Sequence, residues 1–127
     1  MNNLLDTHAF IWYFTGNNKL SAKALQTIDT SNSTNFISIV SLWEIAIKKS
    51  LNKIDFDISF EDLEKTIDKY KIRILPITYL DTLLVSKMPF HHNDPFDRII
   101  IAQAQNNNFN LISTDKHFSS YNVNLIW

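Results

Sequence analysis

A chain of 127 residues with 45% hydrophobic and 20% charged side chains carries enough apolar material to bury a core without staples, which excludes a disordered tail. Its formal net charge of −1 provides no global attraction for nucleic acid, so any such contact must rest on a local patch. With no cysteine, disulfides, thiolate zinc sites and cysteine nucleophiles are excluded. A lone glycine, Gly16, excludes a Walker loop or a GxGxxG turn, which need several.

No stretch approaches the roughly 18 apolar residues of a membrane helix, and Asp6 interrupts the apolar start too early for a secretion signal. A soluble, cytoplasmic, single domain over 1–127 is the expectation.

In chain order, Asn3-Leu4-Leu5 reads as a short buried strand ending at Asp6. Thr7 to Phe14 is helix-compatible up to the breaker Thr15-Gly16-Asn17-Asn18. Ser21 to Ile28 predicts a second helix with Leu20, Ala24, Leu25 and Ile28 on one face. Phe36 to Val40 is β-rich and predicts a second strand. Ser41 then opens a helix to about Leu51, and Ser41-x-x-Glu44 reads as a capping box.

Ser59 to Tyr70 predicts a helix with Leu63, Ile67 and Tyr70 inward and a solvated charged face. Ile72 to Ile77 is a third strand, and Thr78 caps a short helix towards Met88. After the loop Pro89 to Asn93, Asp94-Pro95 starts a helix that becomes almost wholly apolar beyond Arg98. Phe109 to Ser113 is a fourth strand ending at Thr114-Asp115, and Val123 to Trp127 a fifth. The abundance of asparagine reads as compositional.

Strands alternating with helices imply an α/β fold with a mainly parallel sheet, whose ligands gather beyond the carboxyl ends of the strands. Asp6, Glu44, Asp94, Asp97 and Asp115 would then share one rim. Each has a bland reading: Asp94 as an N-cap, Asp97 as a first-turn residue favoured by the helix dipole, Asp115 as a turn residue, Glu44 as half of a capping box. Asp6 has the least local need to be acidic.

Crowded carboxylates repel, and a divalent cation is the usual remedy; oxygen donors without thiolates favour Mg²⁺ or Mn²⁺. Such an ion would activate water and clamp a phosphodiester. His8, His91 and His92 are candidate supporting contacts. Arg98, Lys48, Lys49, Lys53 and Lys116 flank the rim as candidate phosphate contacts, with solvated charge as the alternative.

Taken together, Leu4-Leu5-Asp6-Thr7-His8, Ser41-Leu42-Trp43-Glu44-Ile45, His92-x-Asp94-Pro95-Phe96-Asp97-Arg98 with Ala102 and Ala104, and Ser113-Thr114-Asp115 resemble PIN-domain proteins of the VapC toxin type. The resemblance implies a three-layer α/β/α fold and a Mg²⁺- or Mn²⁺-dependent endoribonuclease that arrests translation until a VapB-like antitoxin blocks it, commonly as a homodimer or hetero-oligomer. By matched position Asp6, Glu44, Asp97 and Asp115 would be the acidic quartet, with Asp94 beside it. Asp6 and Asp97 would be the most direct metal ligands, Asp115 would complete the shell, and Glu44 would position or deprotonate water. Trp12, Phe14 and Trp43 are candidates for the antitoxin surface, against the alternative of core packing. Two rivals stand beside this reading: a metal-dependent phosphatase or receiver-like domain, and a catalytically silent interaction module on the same scaffold.

Overall fold

The computed structural model describes residues 1–127. Five strands, β1 (Asn2–Leu5), β2 (Thr34–Ser38), β3 (Ile72–Leu75), β4 (Asn110–Ile112) and β5 (Asn124–Ile126), form one sheet in the order β3-β2-β1-β4-β5. Every neighbouring pair is parallel. Six helices connect them: α1 (Thr7–Thr15), α2 (Ala22–Asp29), α3 (Ile39–Ser50), α4 (Phe60–Lys69), α5 (Tyr79–Lys87) and α6 (Pro95–Asn107). A 3₁₀ turn, Lys116–Ser120, lies between β4 and β5.

Alternation along the strands separates two cores. Leu5 of β1 and Ile112 of β4 join Phe10, Ala24, Ile45, Leu63 and Ile67 on one face. Their neighbours Leu4 and Leu111 join Ile100, Ile101, Ala104 and Phe118 on the other. With helices burying both faces, the sheet is the middle of three layers, so adjacent apolar residues of one strand, such as Leu4 and Leu5, enter opposite cores.

The chain winds outward from β1 through β2 to β3, then returns to the other side of β1 with β4. The strand order therefore reverses between β1 and β4, and the crevice beyond their carboxyl ends is where such a sheet accommodates ligands. Asp6 follows β1 directly, and its amide donates to the Ile112 carbonyl at 3.1 Å. The segments after β1 and β4 are thus tied together at the reversal.

The opposite edge carries a ladder of amides. Asn124 donates to Asn110, Asn110 to Asn3 at 3.1 Å, and Asn3 to Asn35 at 2.9 Å, and Asn35 ends the row on the Ile28 carbonyl at 2.8 Å. These four asparagines occupy matching positions on β5, β4, β1 and β2. They are a built structural element and not compositional filler.

Local expectations fail at four points. α3 begins at Ile39, two residues before the predicted start, because the Ser38 side chain caps it by accepting from the Val40 amide. Packing overrides the strand preference of Ile39 and Val40. Ser41 consequently lies inside the helix and forms no capping box with Glu44. Leu25 is exposed, unlike Ala24 and Ile28. Tyr70 is also exposed, lying at the end of α4 with its ring packed edge-on against Phe14 at 5.0 Å. Elsewhere the punctuation acts as read: Gly16 ends α1 at φ 63°, and Thr78 with Asp81 makes a capping box on α5.

Candidate active site

Asp6 is both more buried and more structural than its sequence position implied. Its Oδ1 accepts from the Ala9 amide at 2.8 Å, so it is the N-cap of α1, contrary to the expectation that it had no such role. It is 5% exposed. Burial pushes its carboxyl up, the Ser113 hydroxyl, the Ala9 amide and His8 pull it back, and Asp115 adds repulsion, leaving it at about 6.

Glu44 points towards α1. Thr7 Oγ1 lies 2.8 Å from Glu44 Oε1 and 2.9 Å from Ser41 Oγ. One hydroxyl proton cannot serve both, so Thr7 donates to the carboxylate and accepts from Ser41. The other carboxylate oxygen accepts from Lys48 Nζ at 2.9 Å, one helical turn on. Glu44 is therefore held from both sides.

Asp94 caps α6, its Oδ1 accepting from the amides of Phe96 at 2.9 Å and Asp97 at 3.1 Å, with Pro95 in the first turn. Asp97 lies in the first turn of the same helix. Its carboxyl is pushed up to about 7, first by burial and then by the charges of Asp94, Asp115, Asp6 and Glu44. Asp97 is thus within electrostatic reach of the other four carboxylates singled out in the sequence. Asp115 caps the 3₁₀ turn through the His117 amide at 2.9 Å, and His117 Nδ1 lies 3.0 Å from the same oxygen.

His92 also reaches this cluster: its Nε2 is 3.4 Å from Asp97 Oδ2, its Nδ1 is 3.1 Å from the Tyr121 hydroxyl, and its ring stacks on His117. Burial is the main cause that lowers its basicity. Sequence reasoning missed Tyr121, His117, Thr7 and Ser113. Tyr121 and His117 stand in no motif, whereas Thr7 and Ser113 lie within segments that were singled out but were given no role of their own.

Arg98 is a correction. It is 5% exposed and its guanidinium donates to the carbonyls of Pro89 at 3.0 Å, Met88 at 3.2 Å and Val85 at 3.3 Å, with the Phe90 ring 4.1 Å away. It clamps the segment between α5 and α6 and is not free for phosphate. Lys49 is likewise engaged, on the carbonyls of Phe56 and Ile58. Lys48 stands at the rim but is paired with Glu44, and Lys116 is exposed beside Asp115.

Of the three candidate aromatics, Trp12 and Phe14 pack against the core. Trp43 is 60% exposed, with its ring edge-on to Phe96 at 5.2 Å. The largest concavity, about 690 Å³, lies elsewhere, at the amino edge of β4 and β5, and is lined by Gln105, Asn110, Asn122 and Asn124 without a charged group.

The donor set suits a hard divalent cation in kind, since every carboxylate is an oxygen ligand and the cluster is short of positive charge. It is not a closed cage, because no three acidic or imidazole side chains stand close enough to hold an ion as they are. No helix is long and apolar enough to cross a membrane.

An all-parallel three-layer sheet with acidic side chains gathered at its strand reversal defines an α/β protein with a carboxylate-rimmed crevice. A model of the PIN domain matches residues 4–124, and the chain belongs to that family. PIN domains are generally nucleases.

Among solved structures, the fold is similar to a chain of VapBC-1 from nontypeable Haemophilus influenzae, with a TM-score of 0.71, 19% identity, and 98% of this chain and 96% of that chain covered. It is similar also to a chain of VapBC2 from Rickettsia felis bound to a DNA fragment from its promoter, at TM-score 0.70 and 18% identity over 98% and 97% of the two chains. A toxin-antitoxin complex from Klebsiella pneumoniae gives TM-score 0.66 and 20% identity over 94% and 92%. Among curated proteins none matches.

Proposed function

We propose that this chain is a Mg²⁺- or Mn²⁺-dependent endoribonuclease and the toxin of a toxin–antitoxin pair. The observation that carries the reading is Asp97, whose carboxyl is driven up to about 7 by burial and by four other carboxylates. Mutual repulsion of this kind is relieved by a cation, and family membership makes phosphodiester hydrolysis the chemistry to expect. Asp6, Asp97 and Asp115 would hold the ion, with Asp94 as an outer carboxylate whose Oδ1 is already committed to the helix. The ion, when bound, supplies an acidified water and charge neutralisation at the phosphate.

The chain's own groups complete the task. Glu44, fixed between Thr7 and Lys48, orients or deprotonates the attacking water. Lys48 and Lys116 are the basic side chains left at the rim for the RNA backbone, since Arg98 is withdrawn. Exposed Trp43 offers an apolar anchor for a VapB-like antitoxin beside the site. The similar solved structures that are toxin-antitoxin complexes support a partner of this kind. A homodimer or a hetero-oligomer with that partner, acting in the cytoplasm, fits the same reading.

A second reading has an observation of its own. Asp6, Asp94 and Asp115 all serve as N-caps, which is what a silent interaction module on this scaffold would retain. Titration of Mn²⁺ into the partner-free wild type and Asp97→Asn, followed by incubation of each with total RNA, separates the two. Binding and cleavage in the wild type that collapse in the variant support the nuclease. A folded wild type that binds no Mn²⁺ and leaves RNA intact overturns it in favour of the silent module.

A further inference from the structure

Tyr121, which belongs to no sequence motif, reaches the surroundings of Asp97 through His92. It is 6% exposed and places its hydroxyl 3.1 Å from His92 Nδ1, 3.3 Å from the Pro89 carbonyl and 3.4 Å from Arg98 Nη1. The phenol has one proton to give. The Pro89 carbonyl already accepts from Arg98 at 3.0 Å, and Arg98 can only donate to the phenol oxygen. Of the two atoms within reach of that proton, His92 Nδ1 is the nearer, at 3.1 Å against 3.3 Å for the carbonyl. With Nδ1 accepting, the neutral imidazole carries its proton on Nε2, the nitrogen that lies 3.4 Å from Asp97 Oδ2.

That nitrogen is also exceptional. Together with Gln103 Oε1, His92 Nε2 is one of two buried side-chain polar atoms without a hydrogen-bond partner. Its approach to Asp97, at 3.4 Å, does not make a formed hydrogen bond, and such contacts in free enzymes tighten when the site is loaded. The ring lies within 3° of parallel to that of His117, with 5.5 Å between centroids. His117 in turn lies 3.0 Å from Asp115. The His92 backbone is fixed too, its carbonyl lying 3.5 Å from Arg98 Nη1.

We propose that His92 is a positioning residue: Tyr121 fixes its tautomer through Nδ1, and its Nε2–H orients the Asp97 carboxylate for the ion. The inference rests on the reading of Asp97 as a ligand, and it adds the relay Arg98–Tyr121–His92–Asp97 to that reading. It also gives Arg98 a use: the guanidinium supports the phenol that supports the histidine.

The test has one arm that needs neither metal nor activity. Long-range ¹H–¹⁵N correlation spectra of the metal-free, histidine-labelled protein should show His92 as the Nε2–H tautomer, and Tyr121→Phe, which keeps the ring and loses the hydroxyl, should erode that preference. A dominant Nδ1–H form in the wild type overturns the relay.

In the second arm, His92→Gln keeps a donor near the Nε2 position, whereas His92→Asn keeps one only near Nδ1. His92→Asn should lose roughly 10- to 100-fold in both Mn²⁺ affinity and kcat, with KM unchanged, while His92→Gln retains most of each. Two variants that behave alike overturn the proposal. A wild type that neither binds Mn²⁺ nor cleaves RNA sinks the nuclease reading instead, and the tautomer spectra still decide the Tyr121–His92 link.

Discussion

Replacing Asp97 by Asn should make the metal-free protein more stable at neutral pH, although it removes a site residue. An aspartate near 3.8 in the unfolded chain is raised to about 7 in the folded one. Between those values the folded state holds the extra proton, so stability falls as pH rises through that window and is level above it. At full burial the gap would correspond to about 4 kcal/mol. The Asp97 side chain is 24% exposed, and solvent screening reduces the figure to about 2 kcal/mol.

Urea unfolding in EDTA from pH 4 to 8 should therefore give nearly superimposable wild type and Asp97→Asn at pH 4. Asp97→Asn should be more stable by about 2 kcal/mol at pH 8. Asp6 also rises and slopes the same way, whereas His92, whose basicity is lowered, slopes the other way. Both remain in the two proteins and cancel to first order in the difference. Mn²⁺ should stabilise the wild type and not the variant. A variant that tracks the wild type at every pH, or is weaker at pH 8, would refute the claim that burial and the neighbouring carboxylates disfavour the charged form of Asp97.

Arg98→Ala should destabilise the fold by about 3 kcal/mol, because it strips donors from three carbonyls in a buried segment; a melting temperature lower by roughly 10 °C checks this. Thr7→Val should cost about 1 kcal/mol in urea and lower kcat for RNA, since Glu44 loses the hydroxyl that aims it while keeping Lys48. Asn3→Ala should cost about 2 kcal/mol by leaving Asn35 and Asn110 without their shared partner, with Mn²⁺ affinity unchanged because the ladder lies at the far edge of the sheet. Trp43→Ala should leave the unfolding free energy from urea titration within about 0.5 kcal/mol of wild type, with one exposed indole lost from the fluorescence.

Periodicity and turn residues located the strands and helices because those signals are local. Asp94-Pro95 marked the start of α6, Gly16 the end of α1 and Thr78 the start of α5 with no help from tertiary contacts. Ile39 and Val40 read as strand because their branched side chains prefer it, yet Ser38 captured the Val40 amide and the helix began early. That shift alone dissolved the expected pairing of Ser41 with Glu44.

Asp6, Asp94, Asp97 and Asp115 could be read onto one rim because each follows a strand or opens a helix, and a parallel sheet sends such junctions to one edge; Glu44, well inside α3, is aimed there by Thr7 and Lys48. Arg98 was misread because a cation beside an acidic motif looks solvent-facing until the loop that folds over it is known. Tyr121 and His92 are 29 positions apart, and no pattern along the chain connects them. The asparagine ladder was invisible for the same reason, since matching positions on four strands exist only once the register is set.

The reversal of strand order has a consequence in time. Asp6 and Glu44 belong to the half of the sheet built from β1, β2 and β3, which the early part of the chain can pair by itself. Asp97 and Asp115 arrive only with α6 and β4, and β4 must dock against a strand synthesised far earlier: the Asn110–Asn3 bond closes a gap of 107 positions. Until β4 pairs with β1, the first half of the sheet holds two carboxylates without their counterparts. Long-range closure is also the slow class of folding event. The acidic rim is complete only once β4 lies beside β1, so its assembly is tied to the longest-range strand pairing in the sheet.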